Sequence, residues 1–69
     1  MASRIVDARG RSCPEPVVMT KAALEAGGPP LEVLVDNEVA RENVSRFAQS
    51  RGYQVTVTEL DEEYKLEIR

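Results

Sequence analysis

The sequence contains no histidine, no tryptophan and a single cysteine, Cys13, among its 69 residues. Without a second cysteine the chain cannot form an internal disulfide, and zinc sites built from Cys and His are all but excluded. A cysteine hydrolase needs a base near its sulfur, normally histidine, and a dithiol oxidoreductase needs a second, resolving cysteine. Both enzyme classes are therefore close to eliminated, and the sequence indicates neither a metal site nor a cofactor.

The chain also lacks long apolar runs and an excess of basic charge. No apolar segment approaches the roughly 20 residues of a membrane span, and residues 1–4 lack the hydrophobic core of a secretion signal. A net charge of −3 and a pI near 4.9 argue against phosphate-mediated nucleic-acid binding, which needs a dominant basic face. We expect a cytoplasmic protein without direct nucleic-acid or membrane contacts, in which Arg4, Arg9 and Arg11 form at most a local basic edge.

The composition is typical of a folded protein, with 42% hydrophobic and 30% charged residues. The length is near the lower end of what folds unaided. We find no internal repeat and no linker, and therefore expect residues 1–69 to form one domain. The chain ends directly on a predicted strand at Arg69, which is compatible with an excised domain or with a natural stop.

Hydrophobic periodicity and turn residues predict the order strand, helix, strand, helix, strand, strand. The first four predicted elements are a strand at Ile5–Ala8, a helix from Pro14 to about Ala26, a strand at Leu31–Val35 and a helix with Glu38 in its first turn that runs to Arg51. The last two strands form a hairpin around a turn at Asp61-Glu62-Glu63. The apolar residues that alternate with polar ones in this hairpin are Tyr53, Val55 and Val57, then Tyr64, Leu66 and Ile68. The apolar residues at helical spacing are Val17, Val18, Ala22, Ala23, Leu24 and Ala26 in the first helix and Ala40, Val44, Phe47 and Ala48 in the second. We expect an α+β fold, a two-layer α/β sandwich in which both helices cover one face of a mixed four-stranded sheet.

The stretch Arg9-Gly10-Arg11-Ser12-Cys13-Pro14-Glu15-Pro16 contains the candidate reactive group. Proline is favoured at the first helical position, so we interpret Pro14 as the first residue of the helix and Cys13 as its cap. At the positive end of the helix dipole the pKa of a thiol falls below the ~8.5 of free cysteine, and Arg9 and Arg11 favour the thiolate further. The alternative is a buried, inert cysteine, the commoner fate of a lone thiol, but the polar neighbours favour a reactive one.

Five further residues near this stretch have both a functional and a structural interpretation. Glu15 could tune the thiol, but compensation of the helix dipole explains a first-turn carboxylate. Pro16 is expected to stiffen the turn that presents Cys13, and Lys21 either helps an acidic partner dock or is simply solvated. Asp36 and Asn37 follow the second strand and would share a sheet edge with the Cys13 loop if the strands are parallel, although capping of the next helix also explains them.

Asp7-Ala8-Arg9-Gly10 followed by Cys13-Pro14-Glu15-Pro16 resembles the signature of the TusA/SirA-like sulfur-carrier family, in which a Cys-Pro-x-Pro motif opens the first helix. Residues 35–44 look most like the N-terminal domain of the YedF-type members, which are linked with selenium metabolism. The resemblance implies that Cys13 accepts persulfide sulfur from a cysteine desulfurase and relays it to an acceptor protein of the DsrE-like kind. In TusA itself this relay leads to thiolation of a tRNA wobble uridine, but Asp36-Asn37-Glu38 stands here where TusA has Asp-Asp-Pro.

Two functional hypotheses remain open at this point. A single activated thiolate can accept a group from a donor and pass it to another thiol by exchange chemistry, which is the action of a sulfurtransferase-like carrier. The small size and acidic balance are also compatible with a non-catalytic regulatory or protein-interaction module. Substitution of Cys13 distinguishes the two, because only the carrier depends on the sulfur atom.

Overall fold

A computed structural model describes residues 4–11 and 15–69 of the chain. Its elements are β1 (Arg4–Asp7), α1 (Glu15–Gly27), β2 (Leu31–Val35), α2 (Glu38–Ser50), β3 (Val55–Leu60) and β4 (Glu63–Ile68). The predicted order of strands and helices is confirmed, and the bounds differ by one or two residues. The predicted helix start at Pro14 lies outside the described residues.

The four strands form one mixed sheet in the order β1-β2-β4-β3. β1 pairs in parallel with β2, whereas β4 lies between β2 and β3 and runs antiparallel to both. The two helices pack on one face of this sheet, as expected. Because β4 runs opposite to its neighbours, its first residues lie at the edge of the sheet where β1 and β2 end.

The core lies between the sheet and the helices. β2 alternates as predicted, with its odd-numbered residues fully buried and its even-numbered residues half-buried, because only one face meets the helices. The residues buried in the hydrophobic core are Ala8, Leu24, Leu31, Val33, Val35, Ala40, Val44, Ala48, Leu66 and Ile68. The predicted stripe of α2 is confirmed at Ala40, Val44 and Ala48, and Phe47 packs against the core as a half-buried residue.

The buried stripe of α1 agrees with the predicted one only in part, since Leu24 is buried and Val17 and Ala23 pack against the core. Pro16, Thr20 and Leu24 face the core at i, i+4 and i+8, whereas Val18 is 56% exposed and the predicted Ala22 and Ala26 are exposed as well. Thr20 tolerates full burial because its hydroxyl donates a hydrogen bond to the carbonyl of Pro16 at 2.8 Å. Pro16 lacks an N–H that would need a partner in the first turn, so it packs in the core in addition to its expected stiffening role.

The hairpin turn is one residue shorter than predicted. Only Asp61 and Glu62 form it, and Glu63 is already the first residue of β4, paired with Leu60. The expected dry face is also incomplete at Val57, which is 39% exposed. β3 is one of the two edge strands of the sheet, and the helical layer covers its inner face only in part.

Glu62 is the non-glycine residue with positive φ among the described residues, at φ 55°. A side chain in this left-handed region costs roughly 1–2 kcal/mol, whereas glycine adopts it freely but loses more chain entropy on folding. We expect Glu62→Gly to raise the free energy of unfolding by about 0.5–1 kcal/mol in urea titrations. Glu62→Ala removes the carboxylate but keeps the Cβ and is expected to give no such gain. Equal gains in both variants would show that charge, and not backbone strain, sets the effect.

Candidate functional site

The ends of three strands lie at one edge of the sheet. β1 ends at Asp7, β2 ends at Val35, and β4 begins at Glu63, which follows directly from the parallel and antiparallel pairings. The loop at residues 9–11 leaves β1 at this edge and leads along the chain toward Cys13. The segment 12–14, which includes Cys13 and Pro14, lies outside the described residues, so their predicted cap and helix-start positions stay predictions.

Hydrogen bonds hold every backbone N–H group of the loop from residue 8 to residue 11. Ala8 N donates to the carbonyl of Leu34 at 2.9 Å, and Arg11 N donates to the carbonyl of Ala8 at 3.3 Å. Arg9 N donates to the Asp7 carboxylate at 3.1 Å, and Gly10 N donates to Oδ2 of Asp36 at 2.7 Å. These amides are therefore committed within the chain, and the loop has a defined path up to Arg11.

The Arg9 guanidinium is bound by two carboxylates from distant parts of the chain. Nε and Nη2 donate to the two oxygens of Asp7 at 2.8 and 2.9 Å, a bidentate pair. Nη1 donates to both oxygens of Glu63, at 3.1 and 3.3 Å. The hydrogen bonds from Arg9 lower the pKa of Asp7 to about 2, and those from Asp7 and Glu63 raise the pKa of Arg9. The Arg9 side chain thus connects the loop to the start of β4, and the two carboxylates balance its positive charge.

This pairing predicts a pH dependence that is specific to Asp7. Its folded-state pKa is depressed, so its stabilising contribution is present above pH 3.8 and is lost as the pH falls through about 2. We expect Arg9→Gln to raise the pKa of Asp7 from about 2 toward 3.8, measured by NMR titration of the side-chain carboxyl carbon. Lys65→Gln, which removes a cation paired with Glu32 elsewhere on the sheet, is the control and should leave the Asp7 titration unchanged. An Asp7 pKa that stays near 2 in Arg9→Gln would contradict the assigned contact.

Asp36 and Asn37 lie beside the loop, and both have internal hydrogen-bond partners. Asn37 is the N-cap of α2, and its side-chain oxygen accepts the Ala40 N–H at 2.8 Å. Its side-chain amide also donates to Oδ1 of Asp36 at 3.2 Å, while Oδ2 of Asp36 accepts from Gly10. Asp36 and Asn37 therefore lie close to the loop, as expected. The structure shows capping of α2 as the role of Asn37.

The remaining predicted site residues divide into two groups. Arg11 and Glu15 lie on either side of the segment 12–14, and Nη1 of Arg11 is 3.7 Å from Oε2 of Glu15. Both side chains are about half exposed, so this ion pair contributes little to stability. Lys21 is exposed on α1, and Pro16 is buried on the face of the same helix that meets the core.

The three arginines of the expected basic edge make hydrogen bonds or ion pairs within the domain. Arg4 donates through Nη2 to the carbonyls of Ala23 and Gly28 at 2.8 and 2.7 Å, at the carboxyl end of α1. Such contacts satisfy helix carbonyls that have no intrahelical partner. Arg9 and Arg11 pair with carboxylates as described. In residues 4–11 and 15–69 no group of three His, Cys, Asp or Glu side chains could hold a metal ion, and no helix of this part is long and apolar enough to cross a membrane.

The comparison with known proteins decides the family. The family model described as "Sulfurtransferase TusA" matches residues 4–69. The chain belongs to the TusA family. A Methanocaldococcus jannaschii protein named "Putative sulfur carrier protein" is 44% identical to it over 61 residues, which are 86% of this chain and 81% of that protein.

The structure of this TusA-family chain is also similar to a solved one. The crystal structure of a SirA-like protein from Desulfitobacterium hafniense superposes with a TM-score of 0.87 at 37% sequence identity, over 93% of this chain and 92% of that one. The agreement covers the β-α-β-α-β-β order and the mixed sheet. The resemblance inferred from the Cys-Pro-x-Pro motif is thereby confirmed at the level of the TusA and SirA-like family.

Sequence reasoning missed Glu63 as a residue of this TusA-family site. It placed Glu63 in the hairpin turn, and the side chain reaches Arg9 across 54 residues of chain. The only signal in the sequence is the position of Glu63 at the start of the last strand. That signal becomes useful only once β4 is known to lie beside β2, which brings its first residue to the edge where β1 ends.

Proposed function

We propose that this TusA-family protein carries sulfur on Cys13 as a persulfide and relays it from a donor protein to an acceptor protein. Membership of a sulfur-carrier family supports the cargo, and Cys13 is the chain's only thiol. The observation that carries the proposal is the position of that thiol in the sequence. It lies between a loop whose path is fixed up to Arg11 and a helix that is formed from Glu15 onward.

The proposed chemistry is thiol exchange without net oxidation. The Cys13 thiolate attacks the terminal sulfur of a persulfide on the donor cysteine, the donor S–S bond breaks, and the donor thiolate leaves. The new S–S bond makes Cys13 the persulfide. An acceptor thiolate then attacks its terminal sulfur and releases the Cys13 thiolate, so one sulfane sulfur has moved and no oxidant is consumed.

In this proposal the residues that flank Cys13 in the sequence favour its thiolate form. The amino-terminal end of α1 supplies the positive end of a helix dipole two residues beyond Cys13 in the sequence. Arg9 is neutralised by Asp7 and Glu63, so we assign the remaining electrostatic support to Arg11, whose contact with Glu15 is longer and exposed. Pro14 is expected to open the helix without a competing N–H.

The proposed partners follow from this chemistry. The donor is a cysteine desulfurase, which forms a persulfide on its own cysteine, and the acceptor is a protein thiol, expected to be DsrE-like. Lys21 is exposed and is the partner-facing candidate, since Asp36 and Asn37 make contacts within the domain. In this proposal residues 1–69 act as one domain in the cytoplasm. The acceptor then decides whether sulfur enters tRNA thiolation or serves selenium metabolism.

The direct test is the intact mass of the protein after incubation with a cysteine desulfurase and cysteine. We expect a gain of one sulfur atom that a thiol reductant removes. Peptide mapping should place the added sulfur on the peptide that contains Cys13. No gain with either a desulfurase or an inorganic polysulfide donor would reject the carrier function and favour a non-catalytic module.

A further inference from the structure

We propose that Asp36 is a positioning residue for sulfur transfer, which holds the loop before Cys13 through the backbone N–H of Gly10. This inference rests on the proposed carrier function. Asp36 is not itself expected to contact the sulfur. It acts on Cys13 through the two residues that lie between Gly10 and Cys13 in the chain.

Among the described contacts, the hydrogen bond from Gly10 N to Asp36 connects the Gly10 backbone to the junction between β2 and α2. The other backbone donors of the loop beyond Ala8 bind groups of the same segment, since Arg9 N binds Asp7 and Arg11 N binds Ala8. Gly10 N instead reaches 26 residues along the chain to the junction between β2 and α2. At 2.7 Å this is the shortest of the loop's backbone hydrogen bonds, and its acceptor is a carboxylate oxygen, which forms stronger hydrogen bonds than a carbonyl.

The Asp36 carboxylate is itself oriented by the cap of α2. Its second oxygen accepts from the Asn37 side-chain amide, while the Asn37 oxygen binds the Ala40 N–H. The loop is thereby connected through Asp36 and Asn37 to the first turn of a helix that is anchored in the core by Ala40. Both oxygens of the Asp36 carboxylate therefore have a hydrogen-bond donor.

Two hydrogen bonds act on the turn at Gly10, one from Arg11 N to the Ala8 carbonyl and one from Gly10 N to the Asp36 carboxylate. Gly10 has φ 75°, and apart from its chain neighbours no described atom lies within 4 Å of a Cβ added there, so packing at this position adds nothing to the two hydrogen bonds. Direct attack on a persulfide requires the thiolate to approach along the S–S axis. A displacement of the loop therefore lowers the rate of transfer even if the thiol stays ionised.

The test compares Asp36→Asn with Asp36→Ala. Both remove the charge and the acceptor for the Asn37 amide, but the asparagine oxygen can still accept from Gly10 N, so the main difference between the two variants is the hydrogen bond to Gly10. We expect Asp36→Ala to lose the hydrogen-exchange protection of the Gly10 amide and to take up sulfur from the desulfurase about 10- to 100-fold more slowly than Asp36→Asn. We also expect alkylation by iodoacetamide across pH to give a higher pKa for Cys13 in Asp36→Ala than in Asp36→Asn.

Glu42→Ala is the matched control, because it removes an exposed carboxylate from α2 at a distance from the loop. It should leave Gly10 exchange and sulfur uptake as in the original protein. Equal uptake rates and equal Cys13 titrations in the two Asp36 variants would overturn the proposal, as would retained Gly10 protection in Asp36→Ala. If the original protein accepts no sulfur at all, the carrier function fails, and the amide exchange and alkylation measurements still decide the positioning role.

Discussion

A Leu66→Ala variant is expected to be largely unfolded at room temperature. Leu66 is fully buried in β4, where Val33 of β2 and Val57 of β3 flank it in the sheet. Truncation of a buried leucine costs about 2–5 kcal/mol in lost burial and in the cavity that remains. A domain of this size with a single core rarely has more than about 3–5 kcal/mol of stability, and one cysteine provides no disulfide to add to it. Urea titration followed by circular dichroism measures the loss directly.

Leu60→Ala is the control for this prediction. The substitution is again leucine to alanine, but Leu60 lies at the end of β3 and its side chain is 42% exposed. We expect it to cost under about 1 kcal/mol, because little apolar area returns to water and no cavity forms. Similar midpoints for the two variants would mean that Leu66 does not lie at the centre of the core.

The elements that the sequence predicted best are those with strong local signals. β2 shows clear alternation between a turn with two prolines and a polar pair, and α2 combines a cap at Asn37 with apolar residues at helical spacing and a stop at Gly52. These signals depend on residues within one or two turns of each other. They could therefore be interpreted without knowledge of the rest of the fold.

The predictions that were wrong concern packing between elements. In α1 the wrong part of the predicted stripe is Val18, Ala22 and Ala26, which follow from hydrophobicity alone. Hydrophobicity cannot show that Thr20 satisfies its hydroxyl within the helix or that Pro16 is the buried residue of the first turn. The exposure of Val57 depends on its strand being outermost, which is a property of the strand order. Neither feature has a signature in the local pattern.

The candidate site shows the same division. The proximity of Asp36 to the loop could be predicted, because parallel strands bring their carboxyl ends to one edge. The pairing of Arg9 with Glu63 could not, because it requires the antiparallel placement of β4 beside β2. As a result the sequence suggested Arg9 as an electrostatic partner of the thiol, whereas the structure shows its guanidinium bound by two carboxylates.

Cys13→Ser is expected to abolish sulfur uptake from a desulfurase completely. The variant retains every described contact of the loop, since Asp7, Asp36 and Glu63 bind residues 9 and 10. Serine has no thiolate to attack a persulfide at neutral pH, and the chain has no other thiol. Intact mass should show no added sulfur, and the urea midpoint should stay close to that of the original protein.

A second variant, Cys13→Ser with Ser50→Cys, tests whether the location of the thiol matters and not merely its presence. Ser50 is exposed at the carboxyl end of α2, where the negative end of the helix dipole raises the pKa of a thiol. We expect this protein to react with iodoacetamide but to take up sulfur from the desulfurase far more slowly than the original. The donor must dock so that its persulfide meets the thiol in line. The loop lies beside the amino-terminal end of α2, whereas Ser50 lies at the carboxyl end of the same helix. Uptake at the original rate would mean that any exposed thiol on this surface suffices, and the arrangement of Asp7, Arg9, Asp36 and Glu63 around the loop would then have no part in sulfur transfer.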